Sequence, residues 1–366
     1  MIPNDMRSKI NIIHFFNRLL ITHEYLEIKY SSSYKCFSSS LKTMQSASKL
    51  KQVVNMIVDG KVKKICLLTG AGVSVSSGIP DFRSPGGMYD TLQPELLTAS
   101  AHERLAMHED PTYVVSMDLF ENNQVPYLEL RRPFILGVAE KKWKPTIAHA
   151  FAQILDRKGM LTRLYTQNID GLDYQLGIDP EKIVAVHGSL GRVECEFCQA
   201  EMETDVFRSA VAANIKDIYD IDKNAPKSSS NIHCPHCKMS GVKPATVLYG
   251  GNLPGTFFEC MERDKDAVDL LFVCGTSLTV YPAASLPEEV SDKTTKCLVN
   301  LELVGSEVDV FLQGKCDEVF LEMIHALGWM DDLLNLDPKD TLCKNSNSLI
   351  QAFEAKRKKA GAAKVG

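Results

Sequence analysis

The feature that most constrains the fold of this 366-residue chain is a series of short apolar runs separated by segments of helical length. Such runs are typical of strands that are buried on both faces of a parallel sheet. Two of the segments between them, Thr146–Lys158 and Glu318–Leu327, are long enough for helices. Strands that alternate with helices predict an α/β fold with a doubly wound parallel sheet. The predicted strands are Ile65–Thr69, Arg163–Thr166, Ile183–Val186, Leu270–Cys274 and Cys297–Asn300.

The stretch Cys195–Cys237 interrupts this alternation and predicts an inserted module outside the main sheet. It is polar, and it begins and ends with a Cys-x-x-Cys pair. Four thiolates form the closed tetrahedral site that is typical of one structural zinc ion. The long spacing between the pairs predicts a loop or a helix around Asp205–Ile218. His233 or His236 as a substitute ligand, and a redox role for one pair, are the alternatives. The predicted zinc ligands are Cys195, Cys198, Cys234 and Cys237.

The composition argues against several classes of protein. Apolar residues make up 45% of the chain and charged residues 24%, as in an ordinary soluble globular protein. The net charge of −5 argues against direct nucleic-acid binding, which usually needs a basic face. Eleven cysteines are too few for a disulfide scaffold in a chain of this length. Because no apolar stretch reaches the length of a membrane span, we expect no membrane partner.

The two ends of the chain differ from its centre. The first 50 residues carry seven Lys or Arg against three acids, which suits a mitochondrial targeting segment; a disordered leader with a later start at Met44 is the alternative. The basic run Lys356–Lys359 suits a nuclear import signal, or it is simply solvated. We expect an intracellular protein of the cytoplasm or nucleus, with the mitochondrion as the alternative. The predicted boundaries are a leader at 1–47, a main α/β domain at 48–194 and 241–335, the module at 195–240 and a tail at 336–366.

A glycine-rich turn follows the first predicted strand. Gly70 and Gly72 stand directly after it, and Gly78 follows six residues later. Glycines let the backbone approach a pyrophosphate, and a helix after the turn offers free N–H groups and the positive end of its dipole. The usual dinucleotide fingerprint has a third glycine where this chain has Val75, so the turn is not that of an ordinary dehydrogenase. A tight turn with a purely structural role is the alternative.

Polar residues follow the other predicted strands as well. The carboxyl ends of parallel strands meet at one edge of a sheet, where ligands of open α/β folds bind. His187 is a candidate base at that edge, since an ordinary histidine pKa of about 6.5 suits proton abstraction at neutral pH. A structural role for a lone histidine, and helix capping by Asn and Asp, are the alternatives. The residues in these positions are Gln167, Asn168, Asp170, His187, Gly275, Thr276, Ser277, Asn300 and Glu302.

The segment 70–84, which reads GAGVSVSSGIPDFRS, closely resembles the signature of the sirtuin family. Further segments resemble sirtuin motifs in the same order: TQNIDGL at 166–172, VHG at 186–188, GTSLTVYP at 275–282, VNLE at 299–302 and GKCD at 314–317. The resemblance covers about residues 50–330. It implies a Rossmann-like NAD-binding domain with a small zinc-binding module.

The resemblance also implies which residues bind NAD. Phe82 would shield the C1′ atom of the nicotinamide ribose from water, and Arg83 would hold phosphate by charge-assisted hydrogen bonds. A core aromatic and a surface salt bridge are the structural alternatives for these two. The implied NAD-binding residues are Gly70, Ala71, Gly72, Ser74, Gly78, Asp81, Phe82, Arg83, Gln167, Asp170, Gly275, Thr276, Ser277, Asn300, Glu302 and the backbone at Cys316.

The activity that the resemblance implies is the NAD-consuming removal of acyl groups from lysines of proteins, including histones. The acyl-lysine carbonyl oxygen attacks C1′ as nicotinamide leaves. His187 accepts the proton of a ribose hydroxyl that attacks the acyl carbon, and Asn168 is the second implied catalytic residue. Water completes the reaction, which yields free lysine, nicotinamide and O-acyl-ADP-ribose. ADP-ribosyl transfer to protein and a silent NAD-binding scaffold are the alternatives.

The implied peptide site departs from the family pattern. Sirtuins bind the peptide as an added strand. Gly251 replaces an acidic residue there, and an aromatic pair is replaced as well, which leaves the peptide preference open. Arg131 aligns loosely with an arginine that meets acidic acyl groups, but Leu128 stands in place of the tyrosine that accompanies it. A solvated Arg131 and an acetyl substrate are therefore expected. The implied peptide-binding residues are Val247, Leu248, Tyr249 and Gly250.

Overall fold

The computed structural model describes residues 47–80, 86–306, 308–336 and 341–362. The chain divides into two compact units, Met1–Val53 and Val54–Gly366. The described part of the first unit, residues 47–53, is helical. All structure below belongs to the second unit. The predicted leader, apart from residue 47, lies outside the described residues, and so do the candidate site residues Asp81, Phe82 and Arg83.

Six parallel strands form the central sheet, which confirms the predicted α/β fold. Their order across the sheet is β3-β2-β1-β6-β7-β8, and a separate antiparallel pair is formed by β4 and β5. The five predicted strands are confirmed as β1, β2, β3, β6 and β7, with ends within two residues of the prediction. The strands are β1 (Ile65–Thr69), β2 (Leu161–Thr166), β3 (Ile183–Ala185), β4 (Gly188–Cys195), β5 (Val242–Thr246), β6 (Leu270–Cys274), β7 (Thr295–Asn300) and β8 (Val310–Gln313).

The edge strand β8 was not predicted, because its four residues do not form a clear apolar run. Only two of its four residues are buried, and Gln313 at its end is exposed. An edge strand of this length resembles a loop in sequence, and only the pairing of residues such as Val299 with Leu312 identifies it.

Helices cover both faces of the central sheet, as a doubly wound fold requires. On one face Phe272 of β6 packs edge to face with Phe151, and Phe151 stacks on Phe320, with ring centres 5.6 and 4.6 Å apart. On the other face Tyr165 of β2 packs edge to face with Phe257. The helices are Ala101–Glu109, Met117–Asn122, Val125–Ala139, Ile147–Arg157, Thr204–Asn214, Gly255–Asp264, Leu286–Glu289, Cys316–Ala326, Met330–Leu334 and Lys344–Ala362. The two predicted helices are therefore confirmed, within two residues at each end.

The module between the cysteine pairs lies outside the central sheet, as predicted. The strands β4 and β5, which lead into and out of it, pair antiparallel from Gly188↔Thr246 to Cys195↔Val242. The helix Thr204–Asn214 confirms the prediction of a loop or helix between the pairs. The apolar cluster around the module also includes Leu119 and Leu128 from helices earlier in the chain. The domain boundaries remain a prediction.

No helix within the described residues is both long enough and apolar enough to cross a bilayer.

Candidate active site

The turns after β1 and β6 are pressed against each other at the carboxyl edge of the sheet. The Gly70 amide donates to the Cys274 carbonyl over 2.9 Å, and the Gly72 amide donates to the Gly275 carbonyl over 2.8 Å. A Cβ on Gly72 would lie 2.7 Å from the Gly275 Cα atom. Gly275 itself has a φ of 57°, which disfavours any side chain. The contact between the two turns therefore requires glycine at these positions, whatever ligand approaches them.

Ser74, Asn168 and Asp170 form a buried polar cluster where the predicted turn and the TQNIDGL segment meet. The Ser74 hydroxyl donates to Asp170 Oδ2 over 2.7 Å. Asn168 Nδ2 donates to Ser74 Oγ over 3.2 Å and to the Gly70 carbonyl over 3.0 Å. Because a hydroxyl donates one hydrogen, these bonds fix its direction towards Asp170. The cluster is therefore rigid, and it joins residues that lie about a hundred positions apart in the sequence.

His187 lies where the chain leaves β3 of the central sheet and enters β4 of the module. Its Nδ1 atom is 2.9 Å from the Gln167 carbonyl oxygen, and its own carbonyl accepts from the Val247 amide. A carbonyl only accepts, so Nδ1 carries the hydrogen and the neutral ring leaves Nε2 with a free electron pair. Among the described residues Nε2 is buried and has no hydrogen-bond partner. Burial lowers the pKa of His187 below its ordinary value, against a smaller opposing effect of the Gln167 carbonyl. The ring is thus held neutral at pH 7 with one nitrogen able to accept a proton.

A small cavity of about 30 Å³ connects the polar cluster with helix Val125–Ala139. Ser74, Asn168 and Asp170 line one side of it, and Met88 and Arg131 line the other. Arg131 is only 7% exposed, and its Nη1 atom lies 3.4 Å from the Met88 sulfur. The expectation of a solvated Arg131 is therefore wrong. The sequence shows only an arginine on a helix, whereas burial depends on what packs over that helix.

The remaining candidate NAD-binding residues brace the loops after β6 and β7. Gln167 Nε2 donates to Thr276 Oγ1 over 3.1 Å. Asn300 Nδ2 donates to the Thr276 and Glu302 carbonyls over 3.2 and 3.0 Å. These contacts join the loops after β2, β6 and β7 at one edge of the sheet. Three further candidates belong to the same edge: Ser277, bonded to Thr279; Cys316, whose thiol faces the Val299 carbonyl; and Glu302, which is exposed.

A groove of about 690 Å³ lies between the β3 edge and the β4–β5 pair. Val247 and Leu248 of the candidate peptide segment are among its lining residues. Tyr249 is placed differently, because its amide donates to the Val115 carbonyl and its carbonyl accepts from the Met117 amide. The backbone of Tyr249 is therefore already paired, whereas Gly250 next to it is exposed.

The four predicted zinc ligands converge on one point. Their sulfur atoms all lie within 4.8 Å of one another, with Cys195 and Cys237 at 3.6 Å and Cys198 and Cys234 at 3.8 Å. A tetrahedron with Zn–S distances of about 2.3 Å has S–S edges of about 3.8 Å, so the donor set fits one structural zinc ion. Within the described residues the cluster contains no histidine.

A buried lysine supports the zinc module, and sequence reasoning missed it. Lys243 of β5 is 2% exposed. Its Nζ atom pairs with Glu196 Oε2 at 2.8 Å and donates to the Thr246 carbonyl over 2.7 Å. Glu196 lies inside the first Cys-x-x-Cys turn, so the pair ties that turn to the strand leading to the peptide segment. A sequence does not distinguish this lysine from an exposed one, because its partner lies 47 positions away.

Comparison with known proteins agrees with this arrangement. The family model described as Sir2 family matches residues 70–282. The chain is 36% identical over 304 residues to "NAD-dependent protein deacetylase hst2" of Schizosaccharomyces pombe. This alignment covers 81% of this chain and 82% of that protein. It is 31% identical over 332 residues to "NAD-dependent protein deacetylase sirtuin-2" of Danio rerio, covering 84% and 78%. It is 36% identical over 293 residues to "NAD-dependent protein deacetylase HST2" of Candida albicans, covering 78% of each. This chain belongs to the Sir2 family, the sirtuins.

Proposed function

We propose that this protein removes acetyl groups from lysine side chains of other proteins and consumes NAD as a co-substrate. The observation that carries the proposal is the buried Nε2 atom of His187, which has no hydrogen-bond partner among the described residues. The ring is bonded through Nδ1 to the carbonyl of Gln167, the residue that precedes Asn168 of the polar cluster. The names of the Schizosaccharomyces, Danio and Candida relatives support the same activity.

The proposed role of His187 is that of general base. NAD supplies a leaving nicotinamide, and the acetyl-lysine carbonyl oxygen forms the new bond to the ribose C1′ atom. Nε2 then takes the proton of a ribose hydroxyl, whose oxygen attacks the acetyl carbon. Water adds to complete the release of free lysine and O-acetyl-ADP-ribose. The Gln167 carbonyl holds the ring tautomer and stabilises the positive charge that Nε2 acquires.

The proposed role of the polar cluster is to hold the nicotinamide and ribose end of NAD. Asn168 is the second catalytic residue of the proposal, because its amide is fixed at the rim of the cavity that the cluster lines. The glycine turns and the loops carrying Thr276 and Asn300 would bind the phosphates and the adenosine. Hydrogen bonds within the site already orient these side chains, which lowers the entropy lost on binding.

The substrate class is acetylated protein, and histone lysines are among the substrates that we propose to test. Val247 and Leu248 line the groove, which supports the proposal that they border a bound peptide. Tyr249 would contribute its side chain only, since its backbone is paired. The exposed basic run Lys356–Lys359 supports action in the nucleus or cytoplasm, and a fluorescent fusion with these four residues changed to alanine tests that assignment.

An acidic acyl group is a second candidate substrate, because Arg131 lines the cavity behind Asn168 rather than the protein surface. A buried guanidinium pairs well with a carboxylate and poorly with an apolar acyl tail. Leu128 is buried near it without the hydroxyl that would complete such a pocket, so acetyl remains the first candidate.

The test is to incubate the purified protein with NAD and matched acetyl-, succinyl- and long-chain acyl-lysine peptides, and to identify the products by mass spectrometry. O-acetyl-ADP-ribose formed in step with free lysine supports the proposal. A preference for the succinyl peptide that Arg131→Met abolishes would support the second candidate. ADP-ribose attached to protein, without loss of acetyl, would favour ADP-ribosyl transfer and contradict the proposal.

A further inference from the structure

The carbonyl of Ser76, in the middle of the glycine-rich turn, is bound by residues near the other end of the chain. Val75–Ser77 is a single turn of 3-10 helix, so the Ser76 carbonyl has no partner within it. Asn345 Nδ2 donates to this oxygen over 2.9 Å, and the Cys343 thiol donates to it over 3.3 Å. Both residues lie beyond the part of the chain that the family model matches.

The segment that carries these two donors is firmly anchored. The Cys343 amide donates to the Pro145 carbonyl over 2.8 Å. The Ser346 hydroxyl, which is fully buried, donates to Asp317 Oδ2 over 2.6 Å. The segment therefore reaches the Ser76 carbonyl from a fixed position rather than from a free tail.

Ser346 and Asp317 together form a cap that neither could form alone. The Ile147 amide donates to Ser346 Oγ over 3.3 Å, and the Ala148 amide donates to Asp317 Oδ1 over 3.1 Å. These two N–H groups stand at the beginning of helix Ile147–Arg157, where amides have no partner within the helix itself. A carboxylate at this end also interacts favourably with the helix dipole. The C-terminal segment is thus tied to the core of the α/β domain.

The two attachment points lie next to candidate NAD contacts that come from two different loops. Ser76 stands between the candidate contacts Ser74 and Gly78. Asp317 is the neighbour of Cys316, the candidate adenine contact. We propose that residues 343–346 position both of these loops of the NAD site, with Asn345 as the positioning residue for the glycine-rich turn. This inference rests on the proposed function, because it assumes that the turn binds NAD.

The expected consequence concerns NAD binding and not the chemical step. Without the Asn345 donor the Ser76 carbonyl keeps only the longer contact with the Cys343 thiol, and we expect the 3-10 turn to open more often. The loss of a single hydrogen bond at an exposed position changes an equilibrium constant by roughly threefold to tenfold. We expect Asn345→Ala to raise the KM for NAD by about that factor with kcat unchanged. Asn345→Asp, which places an acceptor where the donor was, should have the larger effect.

The experiment uses the full chain and two independent measurements. The first is the steady-state KM for NAD of Asn345→Ala and Asn345→Asp. The second is hydrogen exchange of a peptide covering residues 70–78, where the Ser77 and Gly78 amides are hydrogen-bonded within the turn. Asn347→Ala is the matched control, because Asn347 lies on the same helix and donates to the Leu342 carbonyl instead.

Faster exchange of the turn together with a raised KM in both Asn345 variants, but not in Asn347→Ala, is the expected result. If exchange and KM both stay at the wild-type values, the positioning role is refuted. If the wild-type protein does not consume NAD at all, the proposed function has failed. Hydrogen exchange of residues 70–78 then remains as the only measurement. Faster exchange in the Asn345 variants would support the contact between Asn345 and the turn, but the proposed effect on NAD binding would be refuted.

Discussion

Replacing His187 by asparagine tests the proposed base most directly. The change removes the Nε2 atom but keeps a hydrogen-bond donor near the position of Nδ1. An asparagine amide nitrogen occupies nearly the position of Nδ1, so the hydrogen bond to the Gln167 carbonyl is retained. The Nε2 atom, buried and unpartnered among the described residues, is lost. The fold should therefore survive while the proton acceptor disappears.

The expected loss follows from the role of the missing atom. General base catalysis contributes a factor of about 10² to 10⁴, or about 2.7 to 5.4 kcal/mol of activation free energy. We expect His187→Asn to lower kcat/KM for the acetyl peptide by that factor. The thermal midpoint should stay close to that of the wild type, since no buried donor is left unpaired.

The pH profile of the wild-type enzyme gives an independent check. The proposed reaction needs neutral His187, so activity should fall as the pH drops through the pKa of this residue. Burial lowers that pKa, so the acid limb of kcat/KM should lie below the ordinary histidine value of about 6.5. An acid limb at or above that value would contradict the environment described for the ring.

The assay is the release of nicotinamide and free lysine, followed by mass spectrometry across pH 5 to 9, roughly the range in which a histidine base is read. His108→Asn is the control, because His108 is a half-exposed histidine in helix Ala101–Glu109 that is paired with Glu95. A His187→Asn variant with more than about one-tenth of the wild-type activity would refute the base assignment.

Three further predictions concern stability. Removing zinc with a chelator should lower the thermal midpoint and release one zinc ion per chain, because the four-cysteine cluster closes the module; release of none would refute the site. Gly72→Ala should cost about 1 to 3 kcal/mol of unfolding free energy, because its Cβ would meet the neighbouring turn at 2.7 Å. Gly255→Ala, whose Cβ finds open space out to 3.9 Å, is the control. Asp264→Ala should cost about 3 to 5 kcal/mol by leaving the buried charge of Arg163 without its carboxylate partner, whereas Asp59→Ala at an exposed pair should cost almost nothing. Equal losses in the two aspartate variants would contradict this account.

Local pattern was sufficient for the main elements of the site. The five predicted strands are confirmed because each is an apolar run between polar segments, and β1 is buried along its whole length. The cluster of four cysteines is confirmed for a similar reason, because two Cys-x-x-Cys pairs are a local pattern typical of a zinc site. The short edge strand β8, by contrast, has no pattern of its own and exists through its pairing with β7.

The sequence by itself determined the α/β class, the family, the metal donors and the position of His187 at a strand end. These depend on residue type and short spacing, which the sequence displays directly. The tertiary structure decided which ring nitrogen of His187 is free, that Arg131 is buried beside Asn168, and that Asn345 binds the Ser76 carbonyl. Each of these depends on a partner brought close by folding from 20 to 269 positions away, and burial and hydrogen bonding at such range are properties of packing.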